Sequence, residues 1–184
     1  MTTKVQIRAW LVFFVVALAV SGLTAFPLET ELRIASDVLH ASPAMTFAPD
    51  AVAFIDTIKL AVIDQNDTYP FLAYGTDWLA FAHLVIAVAF IGPLRDPVRN
   101  IWVVQFGMIA CVGVIPLALI AGAIREIPLL WQVIDMSFGV FGIIPLIIVY
   151  RLIKRLEREQ SEAASAVVPA NATQSVGSQP SGGA

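Results

Sequence analysis

The hydrophobic positions of this chain are concentrated in four long stretches: Ala9 to Phe26, Tyr74 to Ile91, Ile101 to Ile124 and Ile127 to Tyr150. A helix needs about 20 mostly apolar residues to cross the hydrocarbon core of a bilayer. Strands of a transmembrane barrel would instead alternate polar and apolar residues over short segments. The pattern therefore predicts an all-α integral membrane bundle of four transmembrane helices.

The interval between the first two stretches, residues 27 to 73, is too long for a simple connection and too short for an independent domain. Asp50 to Ile63 shows helical periodicity, with Asp50 as the expected N-cap and with Asp56 and Lys59 outside the apolar face. That face is expected to contain Ala51, Phe54, Ile55, Ile58 and Val62. A weaker helical pattern covers Leu28 to Leu39, so the interval is predicted to be a short helical cap.

The composition supports a membrane location. It also indicates that one segment has too few apolar residues to fold. Hydrophobic residues make up 58% of the chain and charged residues 14%, and the mean hydropathy is +0.81. A soluble domain of this size could not bury so much apolar surface. Residues 161 to 184 are rich in Ala, Ser, Gly and Gln, which predicts a disordered tail.

The basic residues predict the orientation through the positive-inside rule. Eight of the eleven flank one side of the predicted bundle, whereas the cap carries seven acidic residues and two basic ones. Both termini are therefore expected in the cytoplasm, by default at a bacterial inner membrane, and the acidic outer face argues against a nucleic-acid partner. The predicted order is N-terminus 1–8, TM1 9–26, extracytoplasmic cap 27–73, TM2 74–91, cytoplasmic loop 92–100, TM3 101–124, turn 125–127, TM4 128–150, basic helical extension 151–160 and tail 161–184.

The first stretch also fits a second interpretation. Lys4 and Arg8 precede an apolar run that passes through Ala17-Leu18-Ala19, as in a secretory signal with a cleavage site. The run continues to Phe26 without the polar region that usually flanks cleavage, which favours a retained anchor. Cleavage would leave three spans in the same orientation.

Sequence motifs assign no catalytic residue, no cofactor and no metal ligand. Cys111 is the single cysteine, so a disulfide or thiolate cluster within one chain is excluded. Nucleotide-binding loops, zinc-protease motifs and nucleophile elbows are absent from the sequence. A haem between two helices would need a second ligand beside His83, since His40 lies in the cap; Met108 and Met136 are the remaining candidates, and a quinone or lipid cleft stays open.

The chemistry-bearing candidates are the polar residues inside the predicted spans, where polarity is costly. They are His83, Gln105, Gln132 and Asp135. His83 follows Thr76 and Ala80 in a small-residue stripe, and Asp135 precedes Gly139 and Gly142 in another, so both are expected to face the bundle. If both helices begin near the outer surface, at Thr76 and Pro128, the two side chains lie at equal depth and are predicted to approach within hydrogen-bonding or one-water distance. A second span that begins at Pro70 would instead place His83 about 20 Å along the helix and remove the pair.

Three further residues are predicted to lie at the membrane interface: Asp77, Trp78 and Trp131. Asp77 suits a helix N-terminus, and the tryptophans suit the headgroup region.

Two functions from different classes agree with this pattern. The first is a non-catalytic accessory, assembly or scaffold component that engages another membrane protein or associates with itself. The second is a small oligomeric transporter or ion-coupled carrier that uses His83 and Asp135.

Overall fold

The computed structural model describes residues 2–176, and the side chains of residues 2–165. Within that range the chain is helical almost throughout, with a single turn of 3-10 helix at Pro70–Ala73. The α-helices are α1 Thr3–Thr24, α2 Leu28–His40, α3 Ala44–Phe47, α4 Pro49–Thr68, α5 Tyr74–Ala89, α6 Ile91–Arg95, α7 Ile101–Ile124 and α8 Leu129–Val176.

The predicted fold class is confirmed. In the described part of the chain, four helical segments are long and apolar enough to cross a membrane: Thr3–Thr24, Pro70–Arg95, Ile101–Ile124 and Leu129–Ser165. The helices α2, α3 and α4 lie between the first and second segments, as a cap. The protein is therefore a multi-pass membrane protein in contact with the bilayer.

Among the spans, α1 packs between α5 and α8. The helix α1 contacts α5 on one side and α8 on the other, and α8 packs along α7 in the most extensive interface of the molecule. The short α6 turns back to contact α1 and α7. No extensive interface joins α5 to α8 within residues 2–176, because α1 lies between them.

The hydrophobic core is concentrated where α1 and α7 begin and α5 ends, which we name the basic end because Arg95, Arg99 and the arginines after Tyr150 adjoin it. Phe90 is fully buried there against Phe14, at a ring separation of 4.9 Å. The other core residues are Ile7, Leu11, Val103, Val104, Leu146, Val149, Ile153 and Leu156.

The opposite end, where α1 and α7 end, is named the cap end. Its buried span residues are small or polar: Gly22, Ala80, Gly122, Gln132 and Gly139. A Cβ on Gly139 would collide with the backbone carbonyl of Cys111, so α7 and α8 approach backbone to backbone. Small residues permit this close approach between helices in membranes.

The cap is a helical pair in which α2 packs against α4. Its buried residues are Leu32 and Ser36 on α2 and Val52 and Ile55 on α4. The predicted helix in this region is present, but the predicted face is wrong in part, because Val52 lies at the centre of the contact and Lys59 also turns toward α2.

The start of α4 also differs from the prediction. Ala48 is the N-cap, Pro49 occupies the first helical turn and Asp50 lies one residue inside the helix. Proline is favoured there because the first helical N–H groups have no partner inside the helix. Asp50 therefore contributes a favourable charge to the helix dipole rather than a capping hydrogen bond.

The last helix extends beyond the predicted basic extension. The helix α8 continues to Val176, past the start at Ser161 of the segment predicted to be a disordered tail. The sequence Glu162-Ala163-Ala164 consists of strong helix formers, which favours this continuation. Residues 177–184 of the predicted tail lie outside the described residues.

Candidate functional site

His83 lies on the face of α5 that packs against α1. Its Cβ would be 2.8 Å from a Cβ built on Gly22, and Ala80 on the same stripe is fully buried. The ring Nδ1 is 2.8 Å from the carbonyl oxygen of Leu79, one turn earlier. With the proton on Nδ1, the imidazole donates to its own helix and needs no partner from another span.

Asp135 lies on α8 beside α7 and is exposed, contrary to the predicted inward position. It lines a groove of about 270 Å³ together with Ala118, Ala121, Gly122 and Arg125. Among the side chains of residues 2–165, no hydrogen bond or ion pair involves its carboxylate. The groove therefore presents the Asp135 carboxylate and the Arg125 side chain among otherwise small and apolar residues.

No hydrogen bond or ion pair joins the side chains of His83 and Asp135 within the part of the chain whose side chains are described, and α1 packs between their helices. The direct form of the predicted pair is therefore absent, and contact through one water molecule stays a prediction. The stripe that carries Asp135 continues at seven-residue spacing through Gly142, Val149 and Leu156. Val149 and Leu156 are buried, Gly142 is half-buried and Asp135 is exposed. Burial along this row decreases toward the cap end. Helical spacing alone does not show that decrease, so it misplaces Asp135.

The two intramembrane glutamines have different environments. Gln132 is buried, donates from Nε2 to the carbonyl oxygen of Ile127 at 2.8 Å, and packs so closely on Gly122 that a Cβ there would be 2.5 Å from its Cδ. Glu126, in the same turn, has a positive φ of 56°. Gln132 therefore closes the turn between α7 and α8, whereas Gln105 is exposed on α7.

The predicted interfacial residues lie at the cap end. Trp131 stacks on Phe54 of α4 at a ring separation of 5.5 Å, which joins the cap to α8, and its buried Nε1 has no hydrogen-bond partner in the described structure. Trp78 is exposed on α5 and makes edge contacts with Tyr74 and Phe81. Asp77 lies half-buried in the first turn of α5.

A polar cluster in the cap escapes the sequence prediction. Ser36 donates to the Asp56 carboxylate at 2.6 Å, and the ammonium of Lys59 donates to the Ser36 hydroxyl at 2.6 Å and to Asp56 at 3.2 Å. His40 Nε2 lies 3.3 Å from the other carboxylate oxygen. One feature of the sequence indicates this cluster: Ser36 follows Leu32 by four residues, so a polar residue occupies the buried face of α2.

The cluster is a structural link rather than a reaction centre. The hydrogen bond from Ser36 lowers the pKa of Asp56, and Lys59 and His40 add to that effect against the opposing influence of burial. Ser36 as a residue is 1% exposed, so its hydroxyl is not accessible to a substrate. The charged atoms of α4 are thus satisfied by α2, which fixes the register of the two cap helices.

Two neighbouring hollows lie beneath the cap. The first is a cavity of about 360 Å³ between the cap and the start of α5. Its wall contains Phe26, Pro27, Leu28, Glu29, Thr30, Val62, Gln65, Asn66, Leu72, Ala73, Thr76 and Asp77. The second is an aromatic groove of about 250 Å³, lined by Phe26, Tyr74, Asp77, Trp78 and Phe81. Phe26 and Asp77 belong to both hollows, so the two adjoin.

The basic end carries a positively charged surface along α8. The cationic side chains are Arg151, Lys154, Arg155 and Arg158. Two of them are paired within the helix, since Lys154 lies 2.8 Å from Glu157 and Arg155 lies 2.8 Å from Glu159. This partial neutralisation is typical of a solvated helix that adjoins the bilayer surface.

Within the described residues, no three His, Cys, Asp or Glu side chains are arranged to hold a metal ion. A scan against protein-family models and searches of curated proteins and solved structures give no match for this chain.

Proposed function

We propose that this chain is a non-catalytic component of a membrane complex, and that the groove beside Asp135 receives a transmembrane helix of another protein. The observation that carries the proposal is the exposed carboxylate within a membrane-spanning helix. Six residues separate it from the start of α8, a depth of about 9 Å at 1.5 Å per residue. Ionisable residues at such positions are costly unless a partner or water satisfies them.

The groove also has the shape that helix association requires. Ala118 and Ala121 on α7 form one wall, and a third helix can approach such small residues closely. The complementary surface carries a hydrogen-bond donor or a cation at the level of Asp135. The chain's own Arg125 lines the same groove without forming an ion pair to Asp135 in the described structure.

Purification in a mild detergent followed by mass spectrometry tests this function. We expect a defined membrane partner in fixed proportion, lost in Asp135→Leu and kept in Asp135→Asn, because the amide still hydrogen-bonds. Asp67→Asn, on the exposed surface of α4, is the matched control and keeps the partner. A chain that purifies without a partner, or a partner that survives Asp135→Leu, contradicts the proposal.

The oligomeric carrier makes the opposite prediction. It requires a symmetric oligomer and loss of flux in Asp135→Asn, because a proton must then bind and leave the carboxylate. No hydrogen bond joins His83 to Asp135 among the described side chains, so the geometry supports a carrier that uses both residues less than it supports a docking groove.

The orientation belongs to the same proposal, with both termini in the cytoplasm and the cap outside, at a bacterial inner membrane. The asymmetric distribution of basic residues supports the orientation, and the bacterial inner membrane enters only as the default membrane. A cysteine at the exposed position Ala41, in a Cys111→Ser background, is expected to react with an impermeant thiol reagent from outside. Labelling from the cytoplasmic side alone reverses the assignment.

A further inference from the structure

The cavity and the aromatic groove beneath the cap differ in chemistry and share a wall. The cavity is lined by amide, hydroxyl and carboxylate groups as well as aliphatic ones, whereas the groove is almost entirely apolar. Asp77 stands at the boundary between them. A ligand that occupied both would therefore have a polar head and an apolar tail.

The charges on the walls determine the kind of head. Glu29 and Asp77 contribute carboxylates, and neither hollow is lined by a lysine, arginine or histidine. Glu29 already binds Asn66 at 2.9 Å and Arg33 at 2.8 Å, and these contacts lower its pKa, so that it stays ionised. Asp77 forms no ion pair with the side chains that are described, residues 2–165, so its carboxylate is available to a ligand at the boundary.

The groove supplies a surface suited to an alkyl chain and to a cation. Trp78 lies 5.8 Å from Tyr74 and 6.1 Å from Phe81, centre to centre, and all three rings are exposed. Aromatic faces attract ammonium groups, most strongly for tryptophan. These rings occupy the first turns of α5 at the cap end, where tails of membrane amphiphiles are within reach.

We propose that the two hollows form one binding site for an amphiphile with a positively charged amine head. The head lies between Asp77 and Glu29, and the tail lies along Tyr74, Trp78 and Phe81. A volume of about 360 Å³ corresponds to about a dozen water molecules at roughly 30 Å³ each, enough for an alkylammonium head and part of its hydration. The site is independent of the groove at Asp135, since it is built from other helices.

Quenching of tryptophan fluorescence tests the site in neutral maltoside micelles. The probe is 12-bromododecylammonium below its micellar concentration, because bromine quenches indole at contact. 12-Bromododecanol, with the same tail and no charge, is the matched ligand control. We expect half-maximal quenching by the ammonium at a concentration about tenfold lower than by the alcohol, from one charge-assisted hydrogen bond.

Variants locate the effect. Asp77→Asn is expected to raise the half-maximal concentration of the ammonium about tenfold and to leave that of the alcohol unchanged. Asp64→Asn, on the exposed surface of α4, leaves both unchanged. Trp78→Phe is expected to remove the part of the tryptophan emission that the ammonium probe quenches. The emission of the other tryptophans remains. Asp77→Glu restores binding, which separates loss of charge from misfolding.

Two results overturn the proposal: equal quenching by ammonium and alcohol, which reduces the groove to an unselective lipid contact, or unchanged ammonium binding in Asp77→Asn.

Discussion

The two ends of the bundle are held together by different kinds of contact. At the basic end, large aliphatic and aromatic side chains interlock around Phe90, and the core residues there are fully or almost fully buried. At the cap end, glycines and an alanine bring helices together in pairs, and Gln132 closes the turn by hydrogen bonding. The basic end is thus a closed core, whereas the cap end exposes grooves. Both candidate binding surfaces lie at this end.

This difference follows from the solvent. Lipid tails are as apolar as leucine, so side chains in a bilayer gain from tight packing rather than from escaping water. Phe90 provides that packing at one end because it meets Phe14 of α1 and Gly107 of α7 within the core that Leu146 of α8 shares. At the other end the close contacts join helices only in pairs: Gly22 brings α1 against α5, and Gly139 brings α8 against α7. These contacts leave Asp135 uncovered.

Removing the centre of the closed core has the largest expected effect. Phe90→Ala is expected to lower the free energy of unfolding by about 3 to 5 kcal/mol, because it leaves a cavity that the surrounding helices cannot fill. Titration with sodium dodecyl sulfate in mixed micelles measures the change. Phe81→Ala, on the exposed face of the same helix, is the control and is expected to cost less than about 1 kcal/mol. Equal losses would contradict a core confined to the basic end.

Close backbone approach at the cap end gives a smaller effect. Gly139→Ala is expected to destabilise the protein by about 1 to 3 kcal/mol, because its Cβ meets the carbonyl of Cys111 and α7 must move away. Gly113→Ala is the matched control. A Cβ there meets no atom within 4 Å, so the change is expected to be neutral or to stabilise by up to about 1 kcal/mol. A harmless Gly139→Ala would show that the two helices are not held backbone to backbone.

Acid is expected to loosen the cap before the core. The pKa of Asp56 is below its ordinary value, so its stabilising contribution is complete above the ordinary value of about pH 4 and is lost as the pH falls through the lowered pKa. Fluorescence of Trp131, which stacks on Phe54, reports the detachment of α4. Asp56→Asn is expected to remove this acid transition, and Asp37→Asn, exposed on α2, to keep it. An acid transition unchanged in Asp56→Asn would assign it to other groups.

The smallest expected effect tests the separation of His83 from Asp135. In a double-mutant cycle, His83→Leu and Asp135→Leu are expected to be additive within about 0.5 kcal/mol, because α1 lies between the two helices. A coupling clearly above that value would indicate a link through water or through a rearranged bundle, and would return the carrier to consideration.

The sequence predicts the spans well and the faces less well. Apolar length identifies the membrane segments because the bilayer imposes it, and α7 has the predicted bounds of Ile101 and Ile124. The stripe of small residues on α5 predicts that His83 faces another helix, and His83 does lie against Gly22. The helix that packs against this face of α5 is α1 rather than α8. The sequence pattern of α5 alone does not identify its partner helix.

The misplaced side chains share a physical cause. Lys59 was predicted to lie outside the apolar face of α4 because it is charged, yet Ser36 and Asp56 satisfy its ammonium while its stem packs inward. Asp135 lies in a row that is buried over most of its length and is exposed only toward the cap end. Periodicity describes one helix at a time, whereas burial depends on the partner.

The position of α1 between α5 and α8 bears on how the four spans assemble. Of these four spans, α1 is synthesised before both of the helices that it contacts, and α8 follows the other three. Ile7 and Leu11 of α1 are fully buried in the folded bundle. A chain in which α8 has not yet inserted therefore keeps part of the α1 surface uncovered in the bilayer, so the packing of α1 depends on a helix made much later.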